Sequence, residues 1–355
     1  MKILITGICG FAGSTLALRL REIKSGLEIF GVDNFIRAGS ELNRRKLTEA
    51  GIPVWHADVR ISEDLATLPA VDWVIDAAAQ PSVLAGTSSS RTNSRQLMQH
   101  NLEGTVNVLE YCRLHRAGFI LLSTSRVYSI SPLSELKMEI GANAFRPESQ
   151  QLWPKGISEM GVSETFSTAP PVSLYGASKV CSEALALEYG FTFDIPVWIN
   201  RLGVLAGAGQ FGRADQGIFS FWIHSCLAKR PLKFIGFGGE GFQVRDCLHP
   251  RDLGQVLIQQ IESNPAKDGA ITNFAGGKAN SMSLRQLHNW CEARYGIHPV
   301  QKETIDRPFD LPWMILDSSL AEKRFGWRPA TPLPAILDEI SKHAEQNPDW
   351  LNHTA

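Results

Sequence analysis

The sequence predicts an α/β fold, a Rossmann-type doubly wound parallel sheet with a smaller mixed α/β substrate-binding unit towards the C-terminus. Three observations predict it. Short β-rich apolar runs alternate with helical patterns from residue 3 to residue 200, the pattern of right-handed βαβ units. A glycine-rich turn, Gly7 to Gly13, joins the first run to the first helix. An acidic residue, Asp33, closes the second run.

The first strand is Ile3-Leu4-Ile5-Thr6, and a helix is read from Ser14 to Ile23. The second strand runs from Glu28 to Val32. Further buried strands are read at Val54–Ala57, Trp73–Asp76, Phe119–Leu122 and Val197–Asn200, with helices at Leu102–Leu114 and Ser178–Glu188. Residues 130–172, rich in proline and serine, read as an unusually long loop, a feature that tends to be functional. Beyond Arg201 the periodicity weakens, and 203–245 reads as loops over a substrate. The expected division assigns 1–202 and 243–275 to the dinucleotide-binding domain, and 203–242 and 276–345 to a substrate domain.

Composition narrows the function. Lys and Arg number 35 against 36 Asp and Glu, which leaves no basic footprint for nucleic acid or an anionic membrane. Arg44-Arg45-Lys46 reads as a solvated helix face. The six cysteines form no CxxC pair and no zinc-spaced cluster, as expected of core thiols in a reducing compartment, and no metal is predicted. No apolar run reaches membrane-spanning length, and Met1-Lys2 leads at once into a strand rather than a signal peptide, so a cytoplasmic location is expected.

Gly7, Gly10 and Gly13, with Phe11 and Ala12 between them, allow backbone N–H groups and a helix N-terminus to approach a pyrophosphate. A carboxylate at Asp33, beside Asn34, can accept both ribose hydroxyls and repels a 2′-phosphate. It therefore favours NAD, although nearby Arg37 leaves NADP open. Asp58 and Val59 follow the third strand and are expected near adenine. Ala77-Ala78-Ala79 leaves little bulk beside a dinucleotide.

Tyr175 and Lys179 are four apart at a helix start and share one face. An adjacent ammonium makes a phenol a better base, and such a tyrosine can take a hydroxyl proton while hydride leaves the same carbinol. Lys179 also suits the nicotinamide ribose. Ser123 and Thr124 end the strand before it, and the Thr124 hydroxyl can bridge a substrate oxygen to Tyr175.

Taken together, these residues resemble the extended short-chain dehydrogenases that act on nucleotide sugars. The likeness runs through Leu4-Ile5-Thr6-Gly7, Asn101-Leu102-Glu103-Gly104-Thr105, Val127-Tyr128, Tyr175-Gly176-Ala177-Ser178-Lys179 and Phe325-Gly326-Trp327. Gln210-Phe211, Asp215-Gln216-Gly217 and Gln243-Val244-Arg245-Asp246 resemble the CDP-paratose (CDP-tyvelose) 2-epimerases in particular. The resemblance implies NAD recycled within each turnover, with Asn101 near the cofactor, and a CDP-sugar substrate. It also implies a homodimer. It places Gln210, Gln216 and Gly217 at the substrate, with Arg245, Arg307 and Asp310 clamping the diphosphate.

Three departures stand out. Asp76 replaces a frequent His, Ser129 replaces a glycine after Val-Tyr, and the 130–172 segment is long. Ser125 and Arg126 stand where the 4,6-dehydratases carry an acidic pair, which disfavours dehydration. A net dehydrogenase or reductase, or a 4-epimerase, is the alternative enzyme reading. A non-catalytic NAD(P) sensor or RNA-associated protein is opposed by the tyrosine–lysine pair and the neutral charge.

Overall fold

The computed structural model describes residues 1–87, 93–263 and 270–353. Its central sheet has seven parallel strands, β1 (Lys2–Thr6), β2 (Glu28–Asp33), β3 (Val54–His56), β4 (Trp73–Asp76), β5 (Gly118–Thr124), β6 (Val197–Leu202) and β7 (Ile271–Phe274). Their order is β7-β6-β5-β4-β1-β2-β3. From β1 the chain works outward through β2 to β3, then returns to β4 on the other side. This reversal leaves a crevice beyond the strand C-termini, where open α/β sheets bind ligands.

The apolar runs fill both faces of this sheet. Ile3, Ile5, Ile120 and Trp198 pack into one core, whereas Leu4, Phe119, Leu121, Val197 and Ile199 pack into the other. Successive side chains of a strand point to opposite faces, so a sheet covered by helices on both sides needs continuous rather than alternating apolar sequence.

Helix starts differ from the sequence reading. Helix α1 spans Phe11–Ile23, because Gly10 is already the last extended residue of the turn. The helix expected from Leu102 begins its regular course at Gly104 and is preceded by a π turn at Gln99–Glu103 and a short helix at Ser94–Met98. The Tyr175 helix, α2, starts at Ser173 rather than Ser178 and runs to Phe193, so both Tyr175 and Lys179 lie in its first two turns.

Residues 130–172 are not an open loop. They form a short helix (Ile130–Ser134), a hairpin (Met138–Gly141 with Ala144–Pro147) and a second, tight hairpin (Ile157–Ser158 with Gly161–Val162). Leu133, Ile157, Val162 and Phe166 share a core with Leu311, Trp313 and Leu316. Backbone bonds from Val162 N–H to the Ile315 carbonyl (2.8 Å) and from Asp317 N–H to the Val162 carbonyl (2.9 Å) seal the contact. The segment lacked a readable period because its apolar partners lie far along the chain.

The region 203–245 also holds regular structure, including helix α3 (Ile218–Leu227) and a strand at Leu232–Ile235 that pairs with Val300–Glu303. Val244–Leu248 joins a smaller sheet with Val204–Leu205, Ser281–Ser283 and Trp313–Met314. The strand starting at 244, in the 243–275 stretch assigned to the dinucleotide-binding domain, lies in this smaller sheet and not in the seven-stranded one. Phe219, Trp222, Phe234, Leu287 and Ile340 form the core beneath. Among the described residues no helix is long and apolar enough to cross a membrane.

Gly161 tests the docking of the 130–172 segment. It has φ +135°, and a Cβ there would lie 2.7 Å from backbone atoms of Ile315, Leu316 and Asp317. Gly161→Ala is expected to lower stability by about 2–3 kcal/mol in urea unfolding and to open the segment to limited proteolysis. Unchanged stability and protection would show that the contact is not rigid.

Candidate active site

A cavity of about 860 Å³ opens at the strand reversal and runs from the glycine turn to the smaller sheet. Gly7, Gly10, Phe11, Ala12 and Gly13 line its near end. The turn requires its glycines. Gly7 has φ +59°, and a Cβ on it would come 2.8 Å from the Ala78 Cα. A Cβ on Gly13 would meet the Gly7 carbonyl oxygen at 2.5 Å. Backbone therefore approaches backbone closely, and the N-terminus of α1 faces the cavity with no acidic side chain in its first turn. That is a cradle of the size and polarity a pyrophosphate needs.

Asp33 and Asn34 line the same end. Asp33 Oδ2 accepts the Cys9 N–H at 2.9 Å and Oδ1 accepts the Phe35 N–H at 2.8 Å. Burial raises its pKa, and these two bonds oppose the rise. The carboxylate thus locks the glycine turn while remaining on the cavity wall. Arg37 does not pair with it. Its guanidinium donates to the Phe211 carbonyl at 2.7 Å. Val59 and Ala77-Ala78-Ala79 line the wall as expected. Asp58 is outside the lining, held by Arg60 and by the Asn34 amide at 3.0 Å. Burial is outweighed by its bonds to Arg60 and Asn34, which hold its carboxyl well below the ordinary carboxylate range.

Asn101 also lies behind the wall. The π turn aims its side chain at Gln80, where Oδ1 accepts the backbone N–H at 2.7 Å, and Nδ2 donates to the Ser178 hydroxyl at 3.1 Å. It ties the strand-β4 loop to α2. π turns of this kind recur at functional sites.

The structure brings Thr124 and Tyr175 to the same cavity wall. Thr124 Oγ1 accepts the Arg126 N–H at 3.2 Å. Gly176 lets α2 close on this corner, since a Cβ there would meet the Arg126 carbonyl oxygen at 2.3 Å. Burial pushes the Tyr175 phenol up, while the Thr124 hydroxyl and the Arg126 charge pull it back.

Lys179 is 2% exposed and sits behind Tyr175, off the cavity lining. Burial lowers its pKa, and the charges of Asp76 and Glu183 hold it up. Glu183 in turn forms a buried bidentate pair with Arg201 (2.6 Å at the shortest contact) and accepts the Ser123 hydroxyl. Ser123 reaches the cavity, but its hydroxyl is committed to Glu183.

At the far end Arg245 pairs with Asp310, and Arg307 donates to the Ala214 carbonyl at 2.9 Å. All three line the cavity with Gln210, Gln216 and Gly217. Gly217 (φ +71°) starts α3 with its N-terminus towards this end. Ser82 donates to Asp215 Oδ2 at 2.5 Å, so the 210–217 loop is tied across the cleft to the β4 side as well as to Arg37. The sequence reading missed these ties, because no spacing links residues so far apart. It noted Arg126 only as a missing acid, yet this side chain lines the reactive corner.

Residues 3–274 match the model of the NAD-dependent epimerase/dehydratase family. The chain belongs to that family. It is 27% identical over 297 residues to the CDP-paratose 2-epimerase of Salmonella typhi, covering 82% of this chain and 84% of the relative. It is 25% identical over 353 residues to a UDP-glucuronate 4-epimerase of Thermodesulfobacterium geofontis, covering 97% and 96%. Among solved structures, the UDP-glucuronic acid 4-epimerase of Bacillus cereus with UDP-glucuronic acid and NAD superposes with a TM-score of 0.77. The identity is 24%, over 98% of this chain and 99% of that one. This last likeness supports the fold.

NAD is the cofactor of this family, and the glycine cradle, Asp33 and the alanine strip fit a dinucleotide. If the carboxylate of Asp33, which lines the cavity, meets the ribose as the sequence suggests, and with Arg37 turned to Phe211, NAD should bind about tenfold or more tightly than NADP, roughly 1.4 kcal/mol. Asp33→Asn should narrow that gap. Titration of the apoprotein with each nucleotide measures it, and tighter NADP binding would overturn the role given to Asp33.

Proposed function

We propose that this chain is an NAD-dependent nucleotide-sugar epimerase, with a CDP-sugar of the CDP-paratose kind as its substrate and C2 as the inverted carbon. The observation that carries the reading is one cavity lined by the glycine cradle, by Thr124 and Tyr175, and by the Arg245, Arg307 and Asp310 cluster. Similarity to the Salmonella typhi CDP-paratose 2-epimerase supports the sugar, as do Asp215-Gln216-Gly217 and Gln243-Val244-Arg245-Asp246.

Bound NAD supplies a reversible acceptor for the hydrogen of a carbinol carbon. The protein does the rest. Tyr175 Oη takes the hydroxyl proton of the sugar and later gives it back, acting as base and then acid. Thr124 Oγ1 already accepts the Arg126 N–H, so its own proton is directed to Tyr175 or to the sugar oxygen. Lys179, which the sequence suggested for the nicotinamide ribose, is buried behind the tyrosine and off the cavity wall, so its part is to fix how its helix presents Tyr175. Arg245 and Arg307 hold the diphosphate as charge-assisted donors, and the tied 210–217 loop closes over it. Ser125 and Arg126 offer no carboxyl group to expel water.

Three outcomes follow. Arg245→Ala and Arg307→Ala should each weaken nucleotide-sugar binding by about 1.5–3 kcal/mol while NAD binding stays nearly intact, as read by calorimetry. Turnover in deuterated water should give an epimer with no carbon-bound deuterium, because only the hydroxyl proton exchanges. Tyr175→Phe should abolish turnover and retain NAD. Deuterium on a ring or methyl carbon, seen by NMR, would instead indicate dehydration or enolisation.

A further inference from the structure

A single helical turn, Trp350–His353, lies against the corner formed by Gln210 and Phe211. Trp350 is buried there. Its Nε1 donates to the Gln210 carbonyl at 2.9 Å. Its ring stacks on Phe211, with centroids 5.7 Å apart and planes 15° from parallel. The His343 ring meets it edge-on, 4.7 Å between centroids. The Gln210 carbonyl has two further donors, the Gly212 N–H at 2.9 Å and the Ser220 hydroxyl at 3.0 Å.

The same corner meets the loop that follows Asp33. Arg37 donates to the Phe211 carbonyl at 2.7 Å. Gly39 has φ +88°, and a Cβ on it would come 3.2 Å from the Phe211 ring and 3.1 Å from the His353 carbonyl oxygen. Glycine thus lets three segments, 34–40, 210–211 and 350–353, close on one point. Asn34, Ile36, Arg37 and Ser40 of the first and Gln210 and Phe211 of the second line the cavity, with Trp350 behind them. Two lining loops in contact bridge the cavity wall beside Asp33, and the 350–353 turn backs the bridge.

We propose that Trp350 is a positioning residue that locks this bridge, so that the cavity gives up NAD only when the contacts of Trp350 break. It acts through Gln210 and Phe211 from off the cavity wall. A local opening costs the free energy of the contacts it breaks. Here the indole hydrogen bond, the stack on Phe211 and the Arg37 bond must all part, and each adds to the barrier for release. The inference concerns the cofactor end and stands whichever nucleotide sugar is the substrate.

The test is the rate at which the full chain, loaded with radiolabelled NAD, loses label to an excess of unlabelled NAD. Trp350→Phe keeps a ring against Phe211 and removes only the indole N–H. The Gln210 carbonyl retains its other two donors, so no buried acceptor is stranded and the fold survives. Loss of that one bond should speed release about three- to tenfold. Trp350→Ala also removes the stack and should speed release by roughly tenfold or more. Ile336→Val is the control, because it trims the core beneath without altering any group of the bridge. It should lower the melting temperature while NAD leaves at the wild-type rate. Release from Trp350→Phe at the wild-type rate overturns the proposal. So does a faster release that Ile336→Val reproduces, since the effect would then follow stability and not the bridge.

Discussion

Lys179 and Arg201 lie where water does not reach, and a buried cation is tolerated only when a carboxylate with good geometry faces it. Glu183 supplies that match for Arg201, and with the charge of Asp76, which favours the charged Lys179, it brings four parts of the fold to one point. Asp76 ends β4, Ser123 ends β5, Arg201 lies on β6, and Lys179 and Glu183 share one face of α2. Loss of one member strands the charge of another, so the group fixes how α2 lies against the strand ends. Tyr175, one turn before Lys179, inherits its place on the cavity wall from this arrangement. The Arg201 guanidinium also lies 5.0 Å from the Tyr128 ring centroid, and the Tyr128 hydroxyl donates to Asn273 at 2.7 Å. The charge group thus reaches β7 at the sheet edge.

The nucleotide-binding half was legible because its signals are local. Continuous apolar runs mark strands buried on both faces, and the glycine turn and Asp33 mark a closed βα junction within a few residues. Tyr175 and Lys179 share one helix face, so their common direction was readable. What their charges meet was not. The charges of Asp76 on β4 and of Arg126, which act on Lys179 and Tyr175, come near them only through tertiary packing. The 130–172 segment failed for the same reason, because its core is completed by Leu311 to Leu316. Helix α3 was hidden in a stretch whose glycines and aromatics serve a cavity and a core at once. Phe219 and Trp222 do both.

The two ends of the cavity are built differently. The cofactor end is mostly backbone, since glycine and alanine remove the side chains that would fill it. The substrate end is mostly side chain, with arginines, glutamines and a carboxylate on the smaller sheet and its loops. The 210–217 loop joins them through bonds from Arg37 to Phe211, from Ser82 to Asp215 and from Arg307 to Ala214. A loop tied at three points to both halves encloses whatever lies beneath it. That arrangement suits chemistry in which the cofactor returns to its starting state in each cycle and has no need to leave.

Position 126 also bears on which reaction this corner favours. Expelling water from a sugar requires a group that gives a proton to the departing hydroxyl and another that takes one from carbon. A guanidinium stays charged at neutral pH and does neither. It donates hydrogen bonds and stabilises negative charge, whether on a phenol or on a sugar oxygen losing its proton. In the proposed reaction one negative charge starts on the phenolate and passes to the sugar oxygen as its proton moves to Tyr175. It is discharged as hydride leaves the carbon, and the return step runs the same path backwards. Held against Thr124 and Gly176, Arg126 is therefore in keeping with the proposed proton transfer at oxygen rather than with elimination at carbon.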